Sequence, residues 1–371
     1  MDCAALTETP PLRAQLRTQD GLTFDVPCHA QQTLLDAAEA AGLRLNAQCR
    51  QGSCGACHAQ VLSGAYVLGE HSPSALPKGA GAVLLCRTTL QSDAQVALPY
   101  GSERVGRGAL PQHTAEVAEL ARDGEHVMRL VLRLLPDEPD GAAVAEFEPG
   151  QFVELELPPA VAVAAGLAGQ RRAYSLANTG NWEGRLELLV RLHPQGRFAN
   201  WLVHTAQVGD RLTVHGPQGA FGLKENGLRP RWFVAGGTGL APMLSMLRRM
   251  AEFGEPHPAR LFFGVNTEAE LFGEELLAEL QGTLPQLAVQ RCVWRAGADW
   301  PGFAGSVVDA LRAALAERLA QAGSDAAQVA WPDVYLCGPA GMVEAVQAVA
   351  AEVGVPANQM EAERFTVASG N

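Results

Sequence analysis

Cys49-Arg50-Gln51-Gly52-Ser53-Cys54-Gly55-Ala56-Cys57 sets three cysteines in a C-x4-C-x2-C pattern. A fourth, Cys86, stands in Leu84-Leu85-Cys86-Arg87 after 28 intervening residues. This is the ligand spacing of plant-type [2Fe–2S] centres. Each iron needs two thiolates, and three from one tight loop with one from a distant segment supply them. The residues between the cysteines are small, so backbone N–H groups can approach cluster sulfides. Two other chemistries use closely spaced cysteines, a zinc site and a disulfide. Zinc favours two C-x2-C pairs, and Cys86 has no second cysteine near it in sequence.

Working outward, 371 residues are enough for two or three domains. A net charge of −12 argues against nucleic acid or an anionic membrane as partner. No apolar run reaches the ~18 residues that span a bilayer. The first eight residues lack the basic and apolar regions of a signal peptide. Cys3, Cys28 and Cys292 read as free thiols of a reducing compartment, so a cytoplasmic location is expected; a monomer is expected as well. Acids of the N-terminal part, including Asp2, Glu8, Asp20, Asp25, Asp36, Glu39, Glu70 and Asp93, serve either to steer a basic partner or for solubility.

Three rhythms follow along the chain. Residues 12–26 read as a hairpin around Asp20-Gly21. Residues 33–41 have helical periodicity stopped by Gly42, and 58–62 and 95–98 read as strands. Residues 101–111 look like a linker. From Thr114, strands at 114–120, 127–134, 151–157, 172–176, 185–192 and 210–215 suggest an antiparallel barrel, with 158–169 as a surface loop. From Arg231, strands at 231–235, 261–265, 287–293 and 334–337 alternate with helices at 242–251, 271–280, 307–319 and 342–353. That alternation implies a doubly wound parallel sheet.

Several short motifs fall on these elements. Arg172-Ala173-Tyr174-Ser175 offers a cation for a pyrophosphate, an aromatic face and a hydroxyl; it also fits an ordinary barrel strand. Gly196-Arg197-Phe198-Ala199 opens a helix that could bind phosphate, or is a capped surface helix. Arg191 and Phe221 are further candidate cofactor contacts. Gly216 to Phe221 turns the chain out of the barrel. Gly236-Gly237-Thr238-Gly239-Leu240-Ala241-Pro242 sits between a strand and a helix, where open α/β sheets bind nucleotides, although a generic strand–turn–helix looks the same. Cys337-Gly338-Pro339-Ala340-Gly341-Met342 lies at the same sheet edge, with Cys337 either a site residue or a buried core thiol.

In this order the motifs resemble the ferredoxin–NAD(P)H reductase superfamily. The shared stretches are LLCRT (84–88), FEPGQF (147–152), YSLAN (174–178), FVAGGTGLAP (233–242), FGVNTEAELF (263–272) and YLCGPAGM (335–342). The N-terminal ferredoxin makes the chain similar to reductase components of bacterial multicomponent oxygenases, above all those of soluble methane, alkane and alkene monooxygenases.

The resemblance implies a multidomain α+β and α/β fold. Its parts are a β-grasp [2Fe–2S] ferredoxin at 1–103, an antiparallel FAD-binding β-barrel at 110–225 and a doubly wound NAD-binding domain at 228–371. It implies an oxidoreductase in which FAD takes a hydride from NADH and the cluster carries single electrons to a di-iron hydroxylase. Cys49, Cys54, Cys57 and Cys86 would ligate the cluster. Ser175 would sit near flavin N5 and Cys337, followed by Gly338, Pro339 and Met342, near the nicotinamide. Glu363-Arg364-Phe365 matches the family's E-x-F/Y, making Glu363 and Phe365 catalytic, with Phe365 stacked on the flavin. Gly237, Thr238 and Gly239 would bind the dinucleotide. Glu270, or else Glu268, would hold the ribose of NADH in preference to NADPH, unless Glu270 merely opens helix 271–280.

The chain departs from the pattern in its six residues after Phe365 and in a long 158–169 loop that touches no motif. Other readings are a reductase for a Rieske ring-hydroxylating dioxygenase or a phenol-hydroxylase-type system, and a non-catalytic iron–sulfur scaffold or sensor. The presence of Arg172, Tyr174, Ser175 and Cys337 argues against the last.

Overall fold

The computed structural model describes residues 10–365 except 78, 137, 139, 140, 226 and 322–328. Asp2, Cys3, Glu8 and the six residues after Phe365 lie outside the described residues. The chain divides between Leu110 and Pro111 into two compact units.

The first unit is a β-grasp. Its sheet runs Thr23–Cys28, Leu12–Arg17, Ala94–Ala97, His58–Ser63, Ala82–Leu84. The first two strands are the hairpin expected around Asp20-Gly21, with Arg17 opposite Thr23. Alternation sends Ala14, Leu16 and Val26 into the core. Helix Leu34–Ala40 buries Leu34, Leu35, Ala37 and Ala38, and the hydroxyl of its N-cap Thr33 accepts from the Asp36 N–H. Gly42, at φ +76°, ends that turn.

The expected linker at 101–111 is more ordered than its glycines suggested. Gly106–Arg107 pairs antiparallel with Leu43–Arg44, and Tyr100 and Val105 are buried in the same core. Burying those two apolar side chains holds a glycine-rich segment in place, an effect that local composition does not register.

The second unit holds a barrel and a parallel sheet. The barrel order is Arg172–Ser175, Phe152–Glu156, Arg211–Gln218, Gln112–Arg122, Val127–Leu134, Arg185–Arg191, all antiparallel. A bridge between Leu176 and Leu188 joins the two ends and closes it. Two expectations need correction. Strand Arg211–Gln218 runs on through Gly216 and Pro217 and pairs Gln218 with Phe152, so the chain leaves the barrel later than expected. The 158–169 loop contains helix Pro159–Ala164, for which Pro at the start and several alanines are well suited. Ala162 and Leu167 anchor it in the barrel core.

The parallel sheet has the order Phe303–Ala304, Leu287–Val293, Ala259–Val265, Arg231–Gly236, Asp333–Pro339, Met360–Phe365. Helices Leu240–Glu252 and Glu274–Thr283 pack on one face, and Val307–Gln321 and Ala340–Glu352 on the other. The chain therefore reverses direction across the sheet between Arg231–Gly236 and Asp333–Pro339, where doubly wound folds bind ligands. The helix expected at 271–280 begins instead at Glu274. Residues Glu268–Glu270 form a 3₁₀ turn, and Gly273 at φ +73° breaks the path to the helix. Glu270 is therefore not a first-turn acid. No helix among the described residues is long and apolar enough to cross a membrane.

Candidate functional site

In the first unit the four cysteines form two pairs. Cys57 and Cys86 bring their sulfurs to 3.3 Å, too far for a disulfide. Cys49 and Cys54 are hydrogen-bonded to each other, and that bond lowers the Cys49 thiol to about 4. Backbone N–H groups converge on these sulfurs: Gln51, Ser53 and Cys54 donate to Cys49 Sγ at 3.4, 3.3 and 3.4 Å, and Ala56 to Cys54 Sγ at 3.5 Å. Among the described residues no three metal-ligating side chains converge on one ion. Two thiols for each of two irons is what a [2Fe–2S] cluster requires, whereas zinc needs four on one centre. The loop depends on Gly52 at φ +75°, where a Cβ would come within 2.8 Å of Arg87 Cγ. Several of the acids considered for steering are already engaged in this unit. Asp20 accepts from Ser102, Asp36 from Thr33, Glu39 from Arg50 and Asp93 from the Arg13 N–H.

In the second unit, Ser175, Cys337 and Glu363 are brought together from the barrel and from two neighbouring strands of the parallel sheet. Cys337 lies opposite Glu363 in register, so both side chains point to one face. The Ser175 hydroxyl donates to Glu363 Oε2 at 3.1 Å, and Cys337 Sγ is 3.7 Å from the same oxygen. Exposures of 4%, 0% and 8% leave this cluster almost without water. Burial raises the Glu363 carboxyl to about 7 against the pull of both donors. Burial and the neighbouring carboxylate push the Cys337 thiol far above its ordinary range. Phe365 is half-buried opposite Pro339 and packs against the core of this face. Sequence reading gave Glu363 and Phe365 only by resemblance; strand Met360–Phe365, which fixes them, was not expected.

The remaining barrel candidates surround the same strand. The Tyr174 ring packs 5.3 Å from that of Phe198 at a tilt of 36°, and burial raises its hydroxyl. Arg172 donates to Gln170 Oε1 at 2.5 Å, and Arg197 to the Gly166 carbonyl at 2.7 Å. The 158–169 loop thus reaches Arg197 through Gly166, contrary to the expectation that it touches no motif, and the next residue, Gln170, reaches Arg172. Gly196 caps helix Arg197–His204, in which Phe198 and Ala199 are buried. Phe221 is buried beside the parallel-sheet core.

At the crossover point, Gly236 to Gly239 and Cys337 to Met342 lie against each other. Gly239 faces the Cys337 carbonyl so closely that a Cβ could not fit, and Gly236 and Gly338 both face Met342. Helices Arg197–His204, Leu240–Glu252 and Ala340–Glu352 carry no acid in their first turn. Helices Leu34–Ala40, Glu274–Thr283 and Val307–Gln321 do. The helices after Gly196 and after Gly237–Gly239, the two candidate phosphate sites, thus keep their positive ends free of competing carboxylates, as does the short helix Pro159–Ala164. Glu270 accepts from Asn266 Nδ2 at 3.2 Å and pairs with Arg191 at 3.4 Å. Its own loop has no cation, but the fold brings one from the barrel. The backbone N–H of Arg295 also meets this loop, donating to the Asn266 carbonyl at 2.9 Å, while its guanidinium lies over the Trp294 ring. Pairing of Arg191 with Glu270 is a contact between distant segments that no local pattern signals. The described donor set fits both a flavin and a nicotinamide dinucleotide.

Comparison with known proteins agrees with this arrangement. Residues 17–91 match the 2Fe-2S iron-sulfur cluster binding domain, 124–222 the oxidoreductase FAD-binding domain and 233–348 the oxidoreductase NAD-binding domain. Methane monooxygenase component C of Methylosinus trichosporium is 37% identical over 81% of this chain and 86% of its own length. The reductase component of propane 2-monooxygenase from Rhodococcus jostii is 32% identical over 90% and 86%. The crystal structure of an Amycolatopsis cytochrome P450 reductase superposes with a TM-score of 0.70 at 30% identity, covering 96% of this chain and 99% of that one. The chain belongs to the [2Fe–2S] ferredoxin-reductase family of oxygenase reductase components, oxidoreductases that work with a [2Fe–2S] cluster, FAD and NAD.

Proposed function

We propose that this chain is the NADH-dependent reductase of a soluble di-iron monooxygenase, a cytoplasmic monomer that docks transiently on its hydroxylase. Its labour divides over 1–103 for the cluster, 110–225 for FAD and 228–371 for NADH. The observation that carries the reading is the dry Ser175–Glu363–Cys337 cluster at the point where barrel and nucleotide sheet meet. The similarity to monooxygenase components supports the choice of partner.

FAD, when bound, supplies acceptance of two electrons together and release of them one at a time. The chain's own residues do the rest. Cys49, Cys54, Cys57 and Cys86 hold the two irons in pairs. Arg172 and Arg197 would bind the flavin pyrophosphate with help from the first turn after Gly196, and Tyr174 would lie against the flavin ring. Gly237, Thr238 and Gly239 bind the NADH pyrophosphate at the start of helix Leu240–Glu252, with Arg191 near by. Glu363, largely protonated below neutral pH, holds one proton within reach of Ser175 and Cys337. Burial keeps water from competing for it. Phe365 would lie over the flavin face and give way to NADH. Glu270 accepts from the ribose hydroxyls.

The test is electron delivery. With NADH present, the purified chain should support turnover of a di-iron hydroxylase and not of a Rieske dioxygenase. The reverse result would assign it to the latter system, and turnover of neither would reject the reading.

A further inference from the structure

Glu187 is a buried carboxylate that none of the cofactor roles uses. It is 3% exposed, on strand Arg185–Arg191 of the barrel. Arg129 grips it at 3.1 and 3.3 Å, and Arg248 of helix Leu240–Glu252 pairs with it at 3.3 Å. Burial alone would raise this carboxyl, but the two guanidiniums reverse the effect and hold it low. The same Arg248 nitrogen donates to the Ala177 carbonyl at 2.9 Å. One turn earlier, the buried Ser245 hydroxyl donates to the Asn178 carbonyl at 2.5 Å. From the barrel side, the Ala177 N–H donates to the Glu187 carbonyl at 2.8 Å. The Glu187 N–H in turn donates to Asn178 Oδ1 at 2.9 Å.

Residues 177 and 178 are thus held from both sides, two and three positions beyond Ser175. The helix that holds them starts directly after Gly237–Gly239. One rigid element therefore carries the nucleotide turn at one end and the Ser175 strand ~12 Å further along, at ~1.5 Å per residue. A single guanidinium nitrogen meets both the carboxylate and the carbonyl, so a lysine ammonium could make the same two contacts in part, whereas an apolar side chain could make neither.

We propose that Arg248 is a positioning residue for hydride transfer. By holding Glu187 and the Ala177 carbonyl at once, it fixes the Ser175 hydroxyl against Glu363 and Cys337. This rests on the assignment of that cluster to the hydride site. An interface that only holds two domains together would affect stability alone.

The test uses the full chain carrying FAD and its cluster. Measured for wild type, Arg248→Met and Arg248→Lys are the flavin reduction rate at saturating NADH, the KM for NADH, the melting temperature and hydrogen exchange at amides 176–178. Arg133→Met, which breaks an exposed ion pair with Glu116 on the barrel, is the control. Arg248→Met should slow flavin reduction by about tenfold or more, since small misplacements of reacting groups have large effects on rate. The KM should stay within about twofold. Exchange at 176–178 should quicken, and Arg248→Lys should recover part of both losses. A rate per bound flavin equal to wild type, with only the melting temperature lowered, overturns the proposal. If the Arg248 variants do not fold, Ser245→Ala decides instead: slower reduction supports the clamp and a wild-type rate refutes it. A wild-type chain whose flavin NADH does not reduce would refute the function itself, a separate outcome.

Discussion

Glu363 gives the sharpest quantitative expectation. Its carboxyl moves from an ordinary 4.5 to about 7 on folding, chiefly through burial. At ~1.4 kcal/mol per pH unit this interval corresponds to ~3 kcal/mol. The sign follows from proton counts. Between the two values the folded chain keeps the proton and the unfolded chain has lost it, so stability falls as pH rises. The contribution is fully present below about pH 4.5, lost progressively up to about pH 7, and constant above that. Glu363→Gln keeps the shape and removes the titration. Denaturation of wild type and variant at about pH 5 and about pH 8 isolates the effect, because other titrating groups cancel in the difference. The variant should gain about 2–3 kcal/mol relative to wild type across that window. A difference between them that does not change with pH would refute the buried, protonated carboxyl.

Three other outcomes follow from the sites. Cys49→Ala should remove the cluster absorbance while NADH still reduces the flavin; retained cluster absorbance would take Cys49 out of the ligand set. Arg172→Ala should weaken FAD binding by about 10–100-fold, the range for losing a charge-assisted hydrogen bond, as read by equilibrium release of flavin fluorescence. Glu270→Ser should reduce the kcat/KM preference for NADH over NADPH by about 10–100-fold. An unmoved ratio would point instead to Arg191, the cation the fold brings to this loop.

Much of this was legible along the chain. The cysteine spacing, the hairpin at Asp20-Gly21, the barrel strands and the strand–helix alternation are local patterns, and the structure contains each of them. The cysteine pairs and the Ser175–Cys337 meeting depended on which segments come together. Spacing suggested the first, and resemblance to known reductases the second. What escaped has a common cause. Gly106–Arg107 is held by pairing with Leu43–Arg44, and Gly166 by Arg197. Arg191 meets Glu270 from 79 residues away. Each is a tertiary contact with a segment distant in sequence, which no local pattern signals. The start of the helix at Glu274 was missed because Gly273 interrupts an otherwise helical pattern.

The most direct test of the whole account is an anaerobic NADH titration of the purified, cofactor-loaded chain, followed by visible absorbance and electron paramagnetic resonance. The flavin holds two electrons and the cluster one, so full reduction should take about three electrons, or about 1.5 NADH, per chain. The account predicts bleaching of the flavin band together with the appearance of a reduced [2Fe–2S] signal that is absent from Cys49→Ala. A flavin that NADH bleaches while the cluster stays oxidised, or a cluster reduced with no flavin present, would contradict it.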